Sequence, residues 1–164
     1  MGKKEFILDQ LEVCRNVGSW IQPLSVALEN LRLEDISWRQ NDSTHTIGEI
    51  VYHLYFYNQR WLRRFKGETP TEVIESNAST FRSMENLTQE GWRDLVERLD
   101  ENLANWQQAI KEMDESKLYE QIPNFPVDAA WWGALSNLCT HITYHIGQII
   151  YIRKAQGSWV SKEE

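Results

Sequence analysis

Residues 138–150 have the sequence LCTHITYHIGQII. The apolar side chains in and around this stretch recur every three or four positions, which is the period of a helix with one buried stripe: Leu135, Leu138, Ile142, Ile146, Ile149 and Ile152. His141 and His145 lie four positions apart, so both imidazoles project from the same face of the helix. Two histidines beside a buried stripe are poorly solvated, and a shared metal ion is the simplest explanation for the pair.

A second helix supplies a third candidate ligand. Thr46 and Glu49 have the spacing of a capping box, in which the hydroxyl and the carboxylate bind the first free amides of a helix. The apolar stripe that follows ends at Gly67 and consists of Ile47, Ile50, Leu54, Tyr57, Trp61 and Phe65. His53 lies within this helix beside the stripe, and we predict that it is the third ligand. Three imidazoles from two helices leave coordination positions open, as in catalytic metal sites.

Two further amphipathic patterns bring the number of predicted helices to four. The first helix is predicted over residues 4–30, with a kink or short break at Pro23. The third begins at a Thr88 cap and continues to about Met113, and the fourth runs from near Ala129 to about Ala155, with Gly157 as its C-cap.

The connections between these helices predict the topology. Residues 32–44 and 114–128 are expected to be irregular, and residues 66–87 form a long crossover with room for a short helical turn. A crossover of this length can carry the chain from one end of a bundle to the other, so the second and third helices could run parallel. The prediction is an all-α four-helix bundle forming a single domain over residues 1–164, without a substantial sheet.

Composition limits the classes of partner and location. Hydrophobic residues make up 41% of the chain and charged residues 25%, which is ordinary for a soluble globular protein. The net charge of −7 argues against nucleic acid or an anionic membrane as the main partner. No apolar run approaches the length of a membrane span, and Cys14 and Cys139 lie in helical patterns that suggest reduced thiols. We therefore expect a cytoplasmic protein.

Each candidate residue has a simpler structural explanation beside the functional one. Histidines next to a core are often hydrogen-bonded packing residues, and His45, in the loop before the Thr46 cap, is left out of the site. Glu49 is the candidate catalytic residue, one turn before His53, where it could orient that ring or act as a base. The capping box already explains Glu49 and is the preferred interpretation. Imidazole ligands suit zinc, nickel, iron or copper alike.

Two motifs resemble those of a known family. They are TIGEIVYHL at residues 46–54 and HITYHIGQI at residues 141–149, followed by Arg153 and by GSW at residues 157–159. Together they resemble the DinB/YfiT-like family of metal-dependent enzymes, and the likeness follows the helix order over nearly the full length. The resemblance implies an up-down-down-up four-helix bundle, often a homodimer, with one divalent metal ion, commonly nickel or zinc. By position its ligands are His53, His141 and His145.

The resemblance also implies a small-molecule substrate and two kinds of chemistry. Characterised relatives include thiol S-transferases that use bacillithiol or mycothiol and a mycothiol-dependent maleylpyruvate isomerase, and other members are labelled hydrolases. The first expectation is that the metal binds a low-molecular-weight thiol, lowers its pKa and holds the thiolate against an electrophile. The alternatives are hydrolysis by a metal-activated water and a metal-binding dimeric bundle without catalysis.

Overall fold

The computed structural model describes residues 2–125 and 127–160. Its α-helices are α1 (Lys3–Glu12), α2 (Leu24–Ala27), α3 (Leu33–Ser37), α4 (Ile47–Phe65), α5 (Gln89–Glu112) and α6 (Trp131–Gln156). A π-helical turn, Val13–Val17, continues α1, and 3₁₀ turns occupy Ala78–Thr80 and Glu115–Tyr119. No β-strand occurs within the described ranges, where the β pairing is an isolated antiparallel bridge between Gln121 and Ala130. The predicted all-α class is confirmed.

Helices α4 and α5 run in the same direction. Tyr55, in the middle of α4, and Arg98 of α5 line the same groove. Further along both helices, Phe65 packs against Trp106 with ring centroids 5.3 Å apart. Because residues further along α4 contact residues further along α5, the two helices are parallel. The long connection between them returns the chain to the end of the bundle at which α4 began, as the sequence predicts.

Helices α1 and α6 run opposite to that pair. Phe65, at the end of α4, packs on Trp131, at the start of α6, with ring centroids 5.0 Å apart. At the same end of the bundle, Lys4 Nζ near the start of α1 donates to the carbonyl of Met113, just after the end of α5, at 2.8 Å. Both contacts join the start of one helix to the end of another. The bundle is therefore up-down-down-up, as predicted.

Local signals determine where the long helices begin and end. The Thr46 hydroxyl accepts a hydrogen bond from the Glu49 amide at 3.1 Å, while the Glu49 carboxylate accepts one from the Thr46 amide at 2.9 Å. The Thr88 hydroxyl accepts from the Gly91 amide at 3.0 Å and caps α5. Gly157 ends α6 in the left-handed region, at φ 80°. The predicted capping box, the Thr88 cap and the glycine C-cap are all confirmed.

The prediction of a first helix over residues 4–30 is wrong. The helical segment ends at Val17, and Gly18 follows with a φ of 72°, a conformation that glycine adopts without a steric penalty. Pro23 lies beyond this break, at the N-cap position of the short helix α2, and does not kink a longer helix. The region predicted to be irregular over residues 32–44 contains α3, which is too short to show a helical period.

The buried core is built from all the long helices, and it extends over the short N-terminal ones. Its fully buried members include Leu11, Ile36, Ile47, Leu54, Leu103, Trp106, Ile110, Leu135, Ile142 and Ile149. Arg153 is also buried. Its guanidinium donates to the carbonyls of Ala27 at 2.7 Å and Ser158 at 2.9 Å, and thereby ties α2 to the end of α6. Among the described helices, none is both long and apolar enough to cross a membrane.

Candidate metal centre

Three histidine side chains meet between the antiparallel helices α4 and α6. His53 comes from α4, while His141 and His145 occupy successive turns of α6. The Nε2 atom of His141 lies 3.1 Å from Nε2 of His53 and 3.0 Å from Nε2 of His145. The potential ligand atoms of all three residues lie within 4.8 Å of one another. The structure thus brings together every histidine that the sequence predicts as a ligand.

The histidine cluster, defined as His53, His141 and His145, is held in its neutral form. His53 and His145 are buried and His141 is half-buried. Burial, and then the positive potential of neighbouring imidazoles, lowers the pKa of His53 to about 3 and that of His145 to about 4. Burial also lowers the pKa of His141. Near neutral pH the rings are therefore unprotonated imidazoles, which is the form that binds metal ions.

The crossover between α4 and α5 orients the ring of His53. The Thr80 hydroxyl donates to the carbonyl of Asn77 at 2.6 Å, so its oxygen is available to accept the Nδ1 hydrogen of His53 at 2.7 Å. Phe81 stacks on the same imidazole, with centroids 4.0 Å apart and an interplanar angle of 11°. With the hydrogen on Nδ1, the lone pair of His53 is on Nε2 and points toward the cluster.

An equivalent hydrogen bond orients His145. Its Nδ1 lies 2.6 Å from Oε1 of Gln148, and an amide oxygen only accepts, so the ring hydrogen is on Nδ1. Gln148 is in turn oriented by donating from Nε2 to the Tyr144 hydroxyl at 3.0 Å. The Nε2 lone pair of His145 therefore also faces the centre of the cluster. Metal-binding histidines in proteins have this arrangement, with the outer nitrogen hydrogen-bonded and the inner one free.

The spacing of the cluster fits a metal ion. Imidazole nitrogens bind zinc at about 2.0–2.1 Å, which places two ligands of one ion roughly 3.0–3.4 Å apart. The two Nε2 separations involving His141, 3.1 Å and 3.0 Å, agree with that distance. If Nε2 of His141 carries its ring hydrogen, it can donate to only one of its two neighbours, so without a cation the Nε2 lone pair of the other neighbour has no donor. A divalent ion removes this conflict.

A cavity of about 550 Å³ opens beside the histidine cluster. His141 and Tyr57 both line it, and the Tyr57 ring also contacts the cluster, with ring centroids 4.9 Å from His53 and 5.8 Å from His141. The remaining wall is largely aromatic and aliphatic, and includes Trp61 and Trp131. The arrangement can therefore hold a small molecule next to a bound ion.

The other candidate residues have contacts that do not include the three ligand nitrogens. One Glu49 oxygen accepts from the Thr46 amide and the other accepts from Arg39 at 2.6 Å, so its catalytic role stays a prediction. His45 stacks on Phe81 with ring centroids 3.7 Å apart. It lies on the opposite face of the Phe81 ring from His53. Cys139 is buried, and its carbonyl accepts from the thiol of Cys14 at 3.6 Å.

Sequence reasoning missed the two crossover residues that hold His53. Thr80 and Phe81 lie in a polar stretch without helical periodicity, so no repeating pattern marks them as neighbours of the site. The short helical turn that the sequence analysis allowed in this crossover is present at Ala78–Thr80. It places the Thr80 hydroxyl against the imidazole, which only the tertiary contact reveals.

These features define a class of protein: an up-down-down-up helical bundle that gathers three neutral imidazoles between two antiparallel helices, beside a cavity. The model of the DinB superfamily matches residues 21–149, and the chain belongs to this superfamily. Among solved structures, the fold is similar to that of YfiT from Bacillus subtilis, which is described as a probable metal-dependent hydrolase with an unusual four-helix bundle topology. The two share 19% sequence identity with a TM-score of 0.71, over 96% of this chain and 89% of that chain. Comparison with curated proteins gives no match.

Proposed function

We propose that this chain is a metal-dependent enzyme in which His53, His141 and His145 hold one divalent ion. The observation that carries the proposal is the convergence of three neutral Nε2 atoms, two of them with their lone pairs directed inward by Thr80 and Gln148. A packed core histidine is satisfied by one acceptor and one donor, whereas this arrangement leaves an inner lone pair without a donor unless a cation is present. Nickel and zinc are the proposed ions, with iron as a third candidate.

The first proposed reaction is thiol transfer, which is the chemistry of the characterised proteins that the sequence motifs resemble. A divalent ion on three imidazoles keeps positions open for a thiol or a water and lowers its pKa. The protein itself orients the imidazoles and provides, beside His141, a cavity in which a second reactant is shielded from water. Hydrolysis of a small-molecule substrate is the second candidate, because the similar YfiT structure is described as a probable metal-dependent hydrolase.

A paired activity assay tests the function. Tag-free protein loaded with nickel, zinc or iron is incubated with bacillithiol and a chloronitrobenzene electrophile, and separately with p-nitrophenyl esters. We expect metal-dependent turnover in one assay, lost on chelation and reduced about 100-fold or more in His141→Ala, since metal activation contributes several kcal/mol to such reactions. Unchanged turnover in that variant would rule out the catalytic role. A bound metal without turnover in either assay would favour the non-catalytic bundle.

A second prediction concerns the crossover residue that orients His53. Thr80→Val keeps the side-chain shape but removes the hydroxyl that accepts from Nδ1, so the ring loses its preferred orientation. We expect zinc affinity to fall about 10–100-fold, the usual effect of losing such a hydrogen bond. Competition with a chromophoric chelator measures the dissociation constant.

Two further variants separate orientation from general damage. Thr80→Ser retains the hydroxyl and is expected to bind zinc with nearly wild-type affinity. Thr140→Val makes the same substitution on an exposed face of α6, where the hydroxyl donates to the Asn137 carbonyl at 3.1 Å. Its zinc affinity should not change. Equal affinities in Thr80→Val and wild type would show that Thr80 does not orient the ligand.

A further inference from the structure

We propose that the cavity beside His141 binds an uncharged, flat apolar group of the substrate. This inference rests on the proposed metal-dependent function, which would supply the reaction at the bound group. Binding of a molecule in the cavity can nevertheless be measured on metal-free protein. It narrows the substrate class to molecules in which an aromatic or similarly planar apolar portion adjoins the reacting atom.

The size and position of the cavity fit a substrate site. Its volume of about 550 Å³ lies within the range of roughly 300–1,000 Å³ that small-molecule sites occupy. His141 belongs both to the cavity wall and to the histidine cluster, whereas the described cavity lining includes neither His53 nor His145. A molecule in the cavity therefore approaches the cluster from the His141 side.

The walls have the shape and chemistry that suit a planar group. The rings of Trp61 and Trp131 are nearly perpendicular, at 86°, with centroids 6.2 Å apart. Phe125 contacts Trp61 at 5.4 Å, and Trp106 and Leu135 extend the apolar surface. Aromatic rings attract other rings both face-on in offset stacks and edge-on, so a flat guest can stack on one indole and meet the other at its edge.

The charges around the cavity favour a neutral guest over an anion. Among the lining residues that the structure describes, Asp128 is the one with a formal charge, and it is exposed. An anionic guest would lose its hydration and meet the Asp128 carboxylate, which is costly, and no cation lines the cavity among the residues described. The nearby Arg64 guanidinium is outside the lining and already donates to the Pro123 carbonyl at 3.4 Å. Asn77 and Asn137 supply polar atoms without charge.

A cationic guest is disfavoured for a different reason. Aromatic faces attract cations, but the Arg64 guanidinium already lies over Trp61 at 5.6 Å and over Phe125 at 5.8 Å from the ring centroids. A second cation on these rings would be repelled by Arg64. An uncharged group is therefore the guest that the residues around the cavity favour.

Three naphthalene probes of similar shape test the inference. Calorimetric titrations of the metal-free full-length chain would compare neutral 2-acetylnaphthalene, anionic 2-naphthoate and cationic 2-naphthyl-trimethylammonium. We expect the neutral probe to bind about tenfold or more tightly than either ion, because only the ions lose charge hydration in the cavity. Equal or tighter binding of the anion would overturn the proposal, and tightest binding of the cation would indicate an aromatic cage for cations instead.

A matched pair of glycine substitutions locates the bound probe. A Cβ added at Gly133 would meet nothing within 4 Å, and Gly133 lines the cavity, so we expect Gly133→Leu to occupy cavity space without a clash at Cβ. Gly147 lies on the same helix with equally open surroundings but lines a separate groove with Tyr144 and Tyr151. We expect Gly133→Leu to weaken binding of the neutral probe about tenfold and Gly147→Leu to leave it unchanged. The reverse pattern would place the probe in the other groove and refute the inference.

The outcomes keep this inference separate from the proposed function. Neutral-selective binding that Gly133→Leu weakens, in a protein that takes up no metal, would support the cavity assignment while the metal-dependent function fails. Normal metal binding with no selective binding of the neutral probe would support the metal site and refute the cavity assignment. Thermal unfolding of both glycine variants by circular dichroism should occur at or above the wild-type temperature, because leucine is the better helix former. Lost binding would then reflect a filled cavity and not an altered fold.

Discussion

Protein with His141→Ala is expected to retain no stoichiometric metal after purification, whereas the wild type retains about one equivalent of nickel or zinc per chain. Nε2 of His141 lies 3.1 Å from Nε2 of His53 and 3.0 Å from Nε2 of His145. Its removal leaves only two imidazoles of the cluster to hold an ion. Elemental analysis of tag-free protein, after reconstitution and desalting, measures the metal content directly.

The matched control for this prediction is the remaining histidine. His45→Ala removes the same side chain from a position that contacts Phe81 and Glu49 but does not belong to the group of possible ligands among the described residues. It should keep the wild-type metal content, and a triple His53→Ala/His141→Ala/His145→Ala variant should have none. Wild-type protein that takes up no metal even after reconstitution would contradict the metal site and leave three packed core histidines.

Replacement of Trp106 by alanine is expected to lower the free energy of unfolding by about 3–5 kcal/mol, the usual cost of removing a large aromatic side chain from a core. The Trp106 side chain is 1% exposed, packs on Phe65, and donates from Nε1 to the Asn58 carbonyl at 3.1 Å. It therefore joins the parallel helices α4 and α5 by both packing and a hydrogen bond. Urea denaturation followed by far-ultraviolet circular dichroism gives the change.

The same substitution at an exposed tryptophan provides the comparison. Trp20 is fully exposed in the segment between α1 and α2, so Trp20→Ala should change the free energy of unfolding by less than about 0.5 kcal/mol. Similar losses in both variants would mean that burial between α4 and α5 does not explain the effect. A loss below about 1 kcal/mol for Trp106→Ala would show that the helices do not depend on this contact.

Several expectations from the sequence stay predictions. They are the single domain over residues 1–164, the homodimer, the cytoplasmic location, the absence of nucleic-acid and membrane partners and the identity of the metal. The thiol is likewise a proposal. Each of these predictions follows from composition or from the family resemblance. None of them follows from the distance between particular residues of the chain.

Sequence patterns alone predicted the four-helix bundle, the Thr46 and Thr88 caps and the three histidines. These signals are local: helical periodicity and capping are determined by residues within a turn or two of each other, and the four-residue spacing of His141 and His145 places them on one face in any helix. The end of the first helix at Gly18 was less visible, because the apolar stripe continues past it and only the left-handed backbone interrupts the helix.

Tertiary packing alone decided how His53 is oriented and what adjoins the cluster. Thr80 and Phe81 reach His53 through the crossover, and Trp61 meets Trp131 from another helix to form the cavity wall. Contacts between residues far apart in the chain leave no periodic trace, because they depend on how whole helices pack. The sequence therefore identified the candidate ligands, while the packing of α4 against α6 and the crossover determined the directions of their lone pairs and the space beside them.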